Sequence, residues 1–118
     1  MSNNKYVEII RKMYLAFNNR DLDEWAKHFD EDTVDYPSKD KPSKGRKKIS
    51  ENNDHFLKRM PDAKYEFANI IGQDKIVCAE GIMTGTPVGT DQPMKMLFCI
   101  VIKFEGEMIR ERHWYFAQ

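Results

Sequence analysis

The spacing of apolar residues changes period once along this chain, at Pro61, and that change constrains the fold more than any other feature. Before it, Val7, Ile10, Tyr14 and Phe17 recur at intervals of three and four. This is the stripe of an amphipathic helix starting near Ser2 or Asn3 and ending at Asn18-Asn19. Leu22, Trp25, Ala26 and Phe29 form the buried face of a short second helix, with Asp21 as its cap and Glu24 completing a capping box. Thr33 to Tyr36 reads as a brief extended piece closed by Pro37, because a residue before proline is pushed out of the helical region. The lysine-rich stretch from Ser38 to Lys44 reads as a loop. Gly45 then leads into a third helix whose stripe is Ile49, Asn53, Phe56 and Met60, stopped by Pro61. Beyond it the period falls to two. Lys64 to Ile71, Ile76 to Thr86, Met94 to Phe104 and Met108 to Gln118 read as strands. They are joined by turns at Gly72-Gln73-Asp74 and Glu105-Gly106 and by a loop over Gly85 to Pro93. Helices followed by hairpin-linked strands give an α+β plan, with three N-terminal helices packed on one face of a curved, mainly antiparallel sheet. Its 118 residues suit a single domain, 1–118.

A glycine inside a strand, Gly81, marks a bulge, a bend or the close approach of another backbone. A long, twisted sheet with such a break curls, and its concave side must be filled. Tyr14, Phe17, Trp25 and Phe29 on the first two helices are placed to fill it. Either they complete a solid core or they leave an apolar cleft, the usual form of a small-molecule site. In the second case Tyr36, Asn53, Phe56 and Met60 join them as ligand-binding candidates, Asn53 being the polar interruption in an apolar stripe.

The last strand carries the candidate chemistry. Strict alternation puts Ile109, Glu111, His113, Tyr115 and Ala117 on one face, and Met108, Arg110, Arg112, Trp114 and Phe116 on the other. Glu111, His113 and Tyr115 then stand in a row about 7 Å apart. In such a row the imidazole is the acid–base group, and the carboxylate or phenol orients it. The same row equally suits salt bridges on a solvated or dimer-facing surface. Asp35, at the mouth of a loop, is a further catalytic candidate or an ordinary turn-forming aspartate.

Nineteen basic and nineteen acidic side chains cancel, so no global field points to nucleic acid or an anionic membrane. Lys39, Lys41, Lys44, Arg46, Lys47 and Lys48 form a basic cluster without interleaved aromatics, which suits a solvated loop better than a nucleic-acid platform. No apolar run approaches the roughly 20 residues of a membrane span, and the first residues show no signal core. Cys78 and Cys99 are too few for a disulfide framework and read as reduced core thiols of a cytoplasmic protein. No metal-ligand spacing, nucleophile elbow or phosphate-cradling glycine loop is present, so neither metal nor organic cofactor is expected.

Ala16-Phe17-Asn18 with Arg20-Asp21-Leu22-Asp23, Phe29 through Val34, Pro37, Gly45-Arg46, Met60-Pro61-Asp62, Gly85-Thr86 and the ending from Gly106 to Phe116 are what make the chain resemble the SnoaL-like polyketide cyclases. These belong to the nuclear transport factor 2-like superfamily. The resemblance runs in order over nearly the whole chain and implies a cone of curved sheet closed by helices around a central pocket. It also implies homodimers formed through the sheet face. Family members include small-molecule cyclases, isomerases, dehydratases and hydrolases as well as non-catalytic binding or association modules. Residue by residue, the catalytic groups do not carry over. The acid/base aspartate of such cyclases falls at Ala117. The tyrosine and aspartate of the related steroid isomerases fall at Met13 and Tyr36, with Asp35 one step away, and a third acid falls near Ile100. Two expectations stand side by side. One is cofactor-independent acid–base chemistry on a small, largely apolar molecule; the other is a non-catalytic ligand-binding or dimeric interaction module.

Overall fold

The computed structural model describes residues 4–38 and 41–117. Ser2 and Asn3, Lys39 of the basic cluster and Gln118 lie outside the described residues. The first helix, α1 (Lys5–Asn18), is capped by Asn4, whose side-chain oxygen accepts from the Tyr6 N–H at 2.9 Å. That contact satisfies one of the donors orphaned at a helix start. Of its expected stripe, Ile10, Tyr14 and Phe17 are buried and Val7 is half-buried, with Tyr6, Met13 and Ala16 added to the buried face. In α2 (Leu22–Ala26) the Asp21 carboxylate accepts from the Glu24 N–H at 3.3 Å. Only that half of the expected capping box forms, since the Asp21 N–H donates to the Ala16 carbonyl at 2.8 Å.

Two short strands, β1 (Val34–Tyr36) and β2 (Ser43–Lys44), pair antiparallel before α3 (Arg46–Arg59). The loop expected up to Lys44 is therefore shorter: Ser43 is buried and its hydroxyl accepts from Asn52 Nδ2 at 2.8 Å. A meander follows, β3 (Lys64–Gln73), β4 (Ile76–Gly85), β5 (Met94–Glu105) and β6 (Met108–Phe116). The first turn begins two residues later than expected, with Asp74 in the left-handed region at φ 55°. β1 lies parallel to β6 on its free side, so among the described residues the sheet has six strands, ordered β2-β1-β6-β5-β4-β3. Strands of three and two residues are too short to show an alternation, which is why β2 is invisible in sequence and β1 reads only as extended.

Two bulges shape the sheet. In β3 the register moves between Phe67 and Asn69, leaving Ala68 unpaired opposite Gly81. A Cβ on Gly81 would run into the Glu66 carbonyl and the Phe67 backbone, so the glycine is there for close backbone approach, as its position suggests. In β6, Lys103 pairs with Glu111 while Phe104 pairs with Ile109, leaving Arg110 as the extra residue. A bulge exchanges the faces of everything beyond it. The alternation drawn from sequence therefore fails there: Ile109 points inward, away from Glu111, His113 and Tyr115.

The inner face of β4 presents Val77, Ala79 and Met83, and that of β5 presents Phe98, Ile100, Ile102 and Phe104, all buried. α1 packs across β3 and β4 and fills the curve. Phe17 and Phe29 are 1% and 0% exposed and belong to one continuous cluster with Tyr14 and Trp25. The concavity is filled along these four aromatics, and what stays open lies towards α3.

Candidate functional site

At the filled end of the concavity a charged pair is enclosed. Asp35 on β1 and Arg112 on β6 are register partners across the parallel pair, and they are 7% and 4% exposed. Arg112 donates from Nε to Asp35 Oδ1 at 2.7 Å and from Nη1 to the Tyr14 hydroxyl at 2.6 Å. The Trp114 indole N–H donates to the same Asp35 oxygen at 3.1 Å. Around the guanidinium stand the rings of Phe29, Trp114 and Trp25, with centroids 4.9, 5.1 and 5.7 Å away. Such rings offer a cation part of what water would. Burial works against the Arg112 charge, but Asp35 and Tyr14 outweigh it and hold its pKa above the ordinary value. Burial raises the Tyr14 hydroxyl above its ordinary pKa, against the pull of Arg112. Tyr14 and Asp35, and not Met13 and Tyr36, are the positions joined through Arg112 in the interior.

Trp114 also lines a cavity of about 260 Å³ at the mouth of the curved sheet. Four aromatic rings line it, Phe56, Tyr65, Trp114 and Phe116, and four thioethers, Met60, Met83, Met94 and Met96. Register explains the clustering. Met83 and Met96 are cross-strand partners, Met94 pairs with Gly85, and Met60 packs where a Gly85 side chain would be. Tyr65 is the one ionisable side chain in this wall, and burial raises its pKa well above the ordinary tyrosine value. The wall is thus apolar, polarisable and uncharged at neutral pH, and methionine lets it adapt its shape.

A separate groove of about 400 Å³ lies between α2 and α3, with Trp25, Arg46, Ser50 and Asn53 in its lining. Arg46 is committed to the chain itself, donating from Nε to the Phe29 carbonyl at 2.6 Å. The Asn53 Nδ2 and Trp25 Nε1 atoms are enclosed, and among the described residues neither has an acceptor at hydrogen-bond geometry.

The sequence-derived candidates therefore fall into five places, the buried pair with Arg112 holding Asp35. Phe56 and Met60 line the mouth cavity. Trp25 and Asn53 line the groove. Tyr14, Phe17 and Phe29 are packed core, so the expectation that these helix aromatics bound an open pocket is corrected: van der Waals filling wins over an open cleft along α1. Tyr36, Glu111, His113 and Tyr115 lie on the opposite, outer face of the sheet. There the Tyr36 and His113 rings stack at 4.4 Å. His113 Nε2 and Glu111 Oε1 are 2.8 Å apart, and Lys103 Nζ stands 3.7 Å from the same oxygen. The His113 hydrogen bond, with Lys103 behind it, lowers the Glu111 pKa. Tyr115 is 58% exposed. The row exists as an adjacent pair, but it does not converge with Asp35 on an enclosed cavity. Sequence reasoning missed Arg112, Tyr65, Trp114, Phe116 and three of the methionines. The readable signal was Met94-x-Met96 facing Met83, but strand pairing had to be known first.

Among the described residues no group of three or more His, Cys, Asp or Glu side chains is placed to hold a metal. No helix there is long and apolar enough to cross a membrane.

The fold is shared widely. An NTF2-like protein of unknown function from Burkholderia pseudomallei superposes with a TM-score of 0.86 at 19% identity, covering 99% of this chain and 92% of its own. A protein with a ketosteroid isomerase-like fold from Catenulispora acidiphila, solved with trimethylamine, gives 0.82 at 17% identity, over 93% and 85% of the two chains. An LEH-like epoxide hydrolase from M. tuberculosis gives 0.80 at 14% identity, over 94% and 81%. At these identities the likeness is one of fold. No protein of curated function matches the sequence. The SnoaL-like domain matches residues 10–112, a span running from the buried face of α1 to the buried arginine of β6. The chain belongs to the SnoaL-like domain family.

Proposed function

We propose that the protein binds a small, uncharged, largely apolar molecule in the mouth cavity, and does so without acid–base chemistry on it. The observation that carries this reading is the wall itself: four aromatic and four methionine side chains around about 260 Å³, with Tyr65 the one ionisable group and held protonated. A general base must reach its proton directly or through one water. Asp35 Oδ1 already takes two donors from Arg112 and Trp114. The outer row of Glu111, His113 and Tyr115 faces away from the cavity. A neutral fluorescent probe such as N-phenylnaphthylamine tests the reading. Wild-type protein should bind it with enhanced emission, and Met83→Trp, which fills the cavity, should abolish binding. Equal binding by the two proteins would sink the proposal.

A second reading concerns the outer sheet face, and the exposure of Ile71, Leu97 and Tyr115 at 67%, 54% and 58% favours it. Large apolar side chains grouped on one sheet face are the usual mark of an association surface. We propose that a second copy of the chain covers this face, with the Tyr36–His113–Glu111 row at its margin. Sedimentation equilibrium should give a dimer for wild type and a monomer for Leu97→Asp; a wild-type monomer at high micromolar concentration would rule it out.

A further inference from the structure

Trp114 belongs to two systems at once. Its ring lines the mouth cavity, and its indole N–H is spent on Asp35. The ring also packs on Tyr65 and Phe98, with centroids 5.8 and 5.6 Å away, and lies parallel to Phe116 at 5.7 Å and 5°. Contacts of this kind fix the depth at which a ring sits but leave rotation about χ2 comparatively soft, because sp³–sp² torsions are broad. A hydrogen bond to a buried carboxylate is directional and charge-assisted. Beside these ring contacts and the Arg112 guanidinium 5.1 Å from the ring centroid, it is the directional contact that selects an orientation. The carboxylate is itself immobilised: Arg112 holds the same oxygen from Nε, and Tyr14 on α1 holds Arg112 in turn.

We propose that Asp35 is a positioning residue for the mouth cavity. It sets the orientation of the Trp114 ring, and so the shape of the ligand site, without touching the ligand. This rests on the reading of the cavity as a site for an uncharged apolar molecule. It gives a buried aspartate a role other than that of a base: Asp35 is the fixed end of a strut running from α1 through Tyr14 and Arg112 to the cavity wall. It also accounts for the placement of an ion pair where a hydrophobic pair of equal volume would serve stability as well. An apolar pair offers no directional acceptor for the indole.

The test is a double-mutant cycle with N-phenylnaphthylamine as the probe, using Asp35→Asn, Trp114→Phe and the double variant. Phenylalanine keeps a ring in the wall but has no N–H, so it removes the bond without leaving a buried charge unpaired. Asp35→Asn should weaken probe binding roughly five- to tenfold, the net worth of one ordinary hydrogen bond. It should also diminish the near-ultraviolet circular dichroism of the tryptophans. In the Trp114→Phe background the same substitution should change affinity less than about twofold. An equal loss in both backgrounds, or no loss in the first, overturns the proposal while leaving the cavity reading intact. A wild-type protein that does not bind the probe overturns both. Should Asp35→Asn fail to fold, Asp35→Glu carries the same cycle. It keeps a carboxylate opposite Arg112 and displaces it by one methylene from the indole.

Discussion

Asp30, at the end of the segment that follows α2, shows how much one side chain organises here. Its carboxylate takes both terminal nitrogens of Arg110, at 3.0 and 2.5 Å, and caps the turn by accepting from the Asp32 N–H at 2.9 Å. Arg110 is the residue left over by the β6 bulge, so this pair ties the bulge to the approach to β1. Three residues on, the buried Thr33 hydroxyl donates to the Ile109 carbonyl at 2.5 Å and accepts from the Asp30 N–H at 2.9 Å. Bonds from Arg110 first, then from the Asp32 backbone, bring the Asp30 pKa down from 3.8 to about 2, against some desolvation. The sign follows directly. A depressed carboxylate pKa contributes stability that is complete above 3.8 and is lost as pH falls through about 2. Urea denaturation across that window should show wild type losing stability steadily, and Asp30→Asn should flatten this part of the acid limb. An unchanged slope would mean that the ion pair is screened into irrelevance, the common fate of partly exposed pairs.

At the scale of elements, the two bulges and the third helix matter most. The β3 bulge at Ala68 and the glycine facing it are one device, since the Glu66 carbonyl occupies the place of a Gly81 side chain. Gly81→Ala must therefore push β3 away from β4. It should cost at least the roughly 1–3 kcal/mol of an overpacked core, readable as a lowered urea midpoint. A midpoint equal to wild type would show that edge strand β3 yields freely. α1 buries six side chains, whereas α3, of equal length, buries Ile49 alone. The helix with the smaller apolar anchor is the one between the groove and the mouth cavity. Gly45, in the left-handed region at φ 94°, precedes it, and Pro61 follows its last turn. On the proposed reading, a ligand at the mouth would meet Phe56 on this helix and Met60 at its C-cap.

For the molecule as a whole, the sheet separates two surfaces of different character, a packed concave side and an outer side bearing exposed apolar residues. The cysteines report on the second. Cys78 is exposed and Cys99 half-buried, with desolvation raising the Cys99 pKa. Dilute protein should react with a maleimide first at Cys78, because a thiolate needs both access and ionisation. If a second copy covers this face, that reaction should slow as protein concentration rises; a concentration-independent rate would count against a dimer there. Much of the architecture was legible in the chain. The change of period at Pro61 separated the three helices from the four-stranded meander, Asn18-Asn19, Asp21 and Pro61 marked helix ends, and Gly81 announced a close approach. These are local properties, decided by which backbone conformations a few neighbouring residues allow. The site was not local. Whether Glu111 or Arg112 faces the interior depends on a single extra residue, Arg110, accommodated against a strand that begins at Met94. Asp35 finds Arg112 only because a three-residue strand adds parallel to β6. The mouth cavity draws its walls from α3, β3, β4, β5 and β6. Sequence alone determined the order and kind of the three helices and the four long strands, because propensity and periodicity act within a few residues. The tertiary structure decided which polar groups are enclosed and which side chains share a cavity, because register, bulge and strand pairing act between residues far apart in the chain.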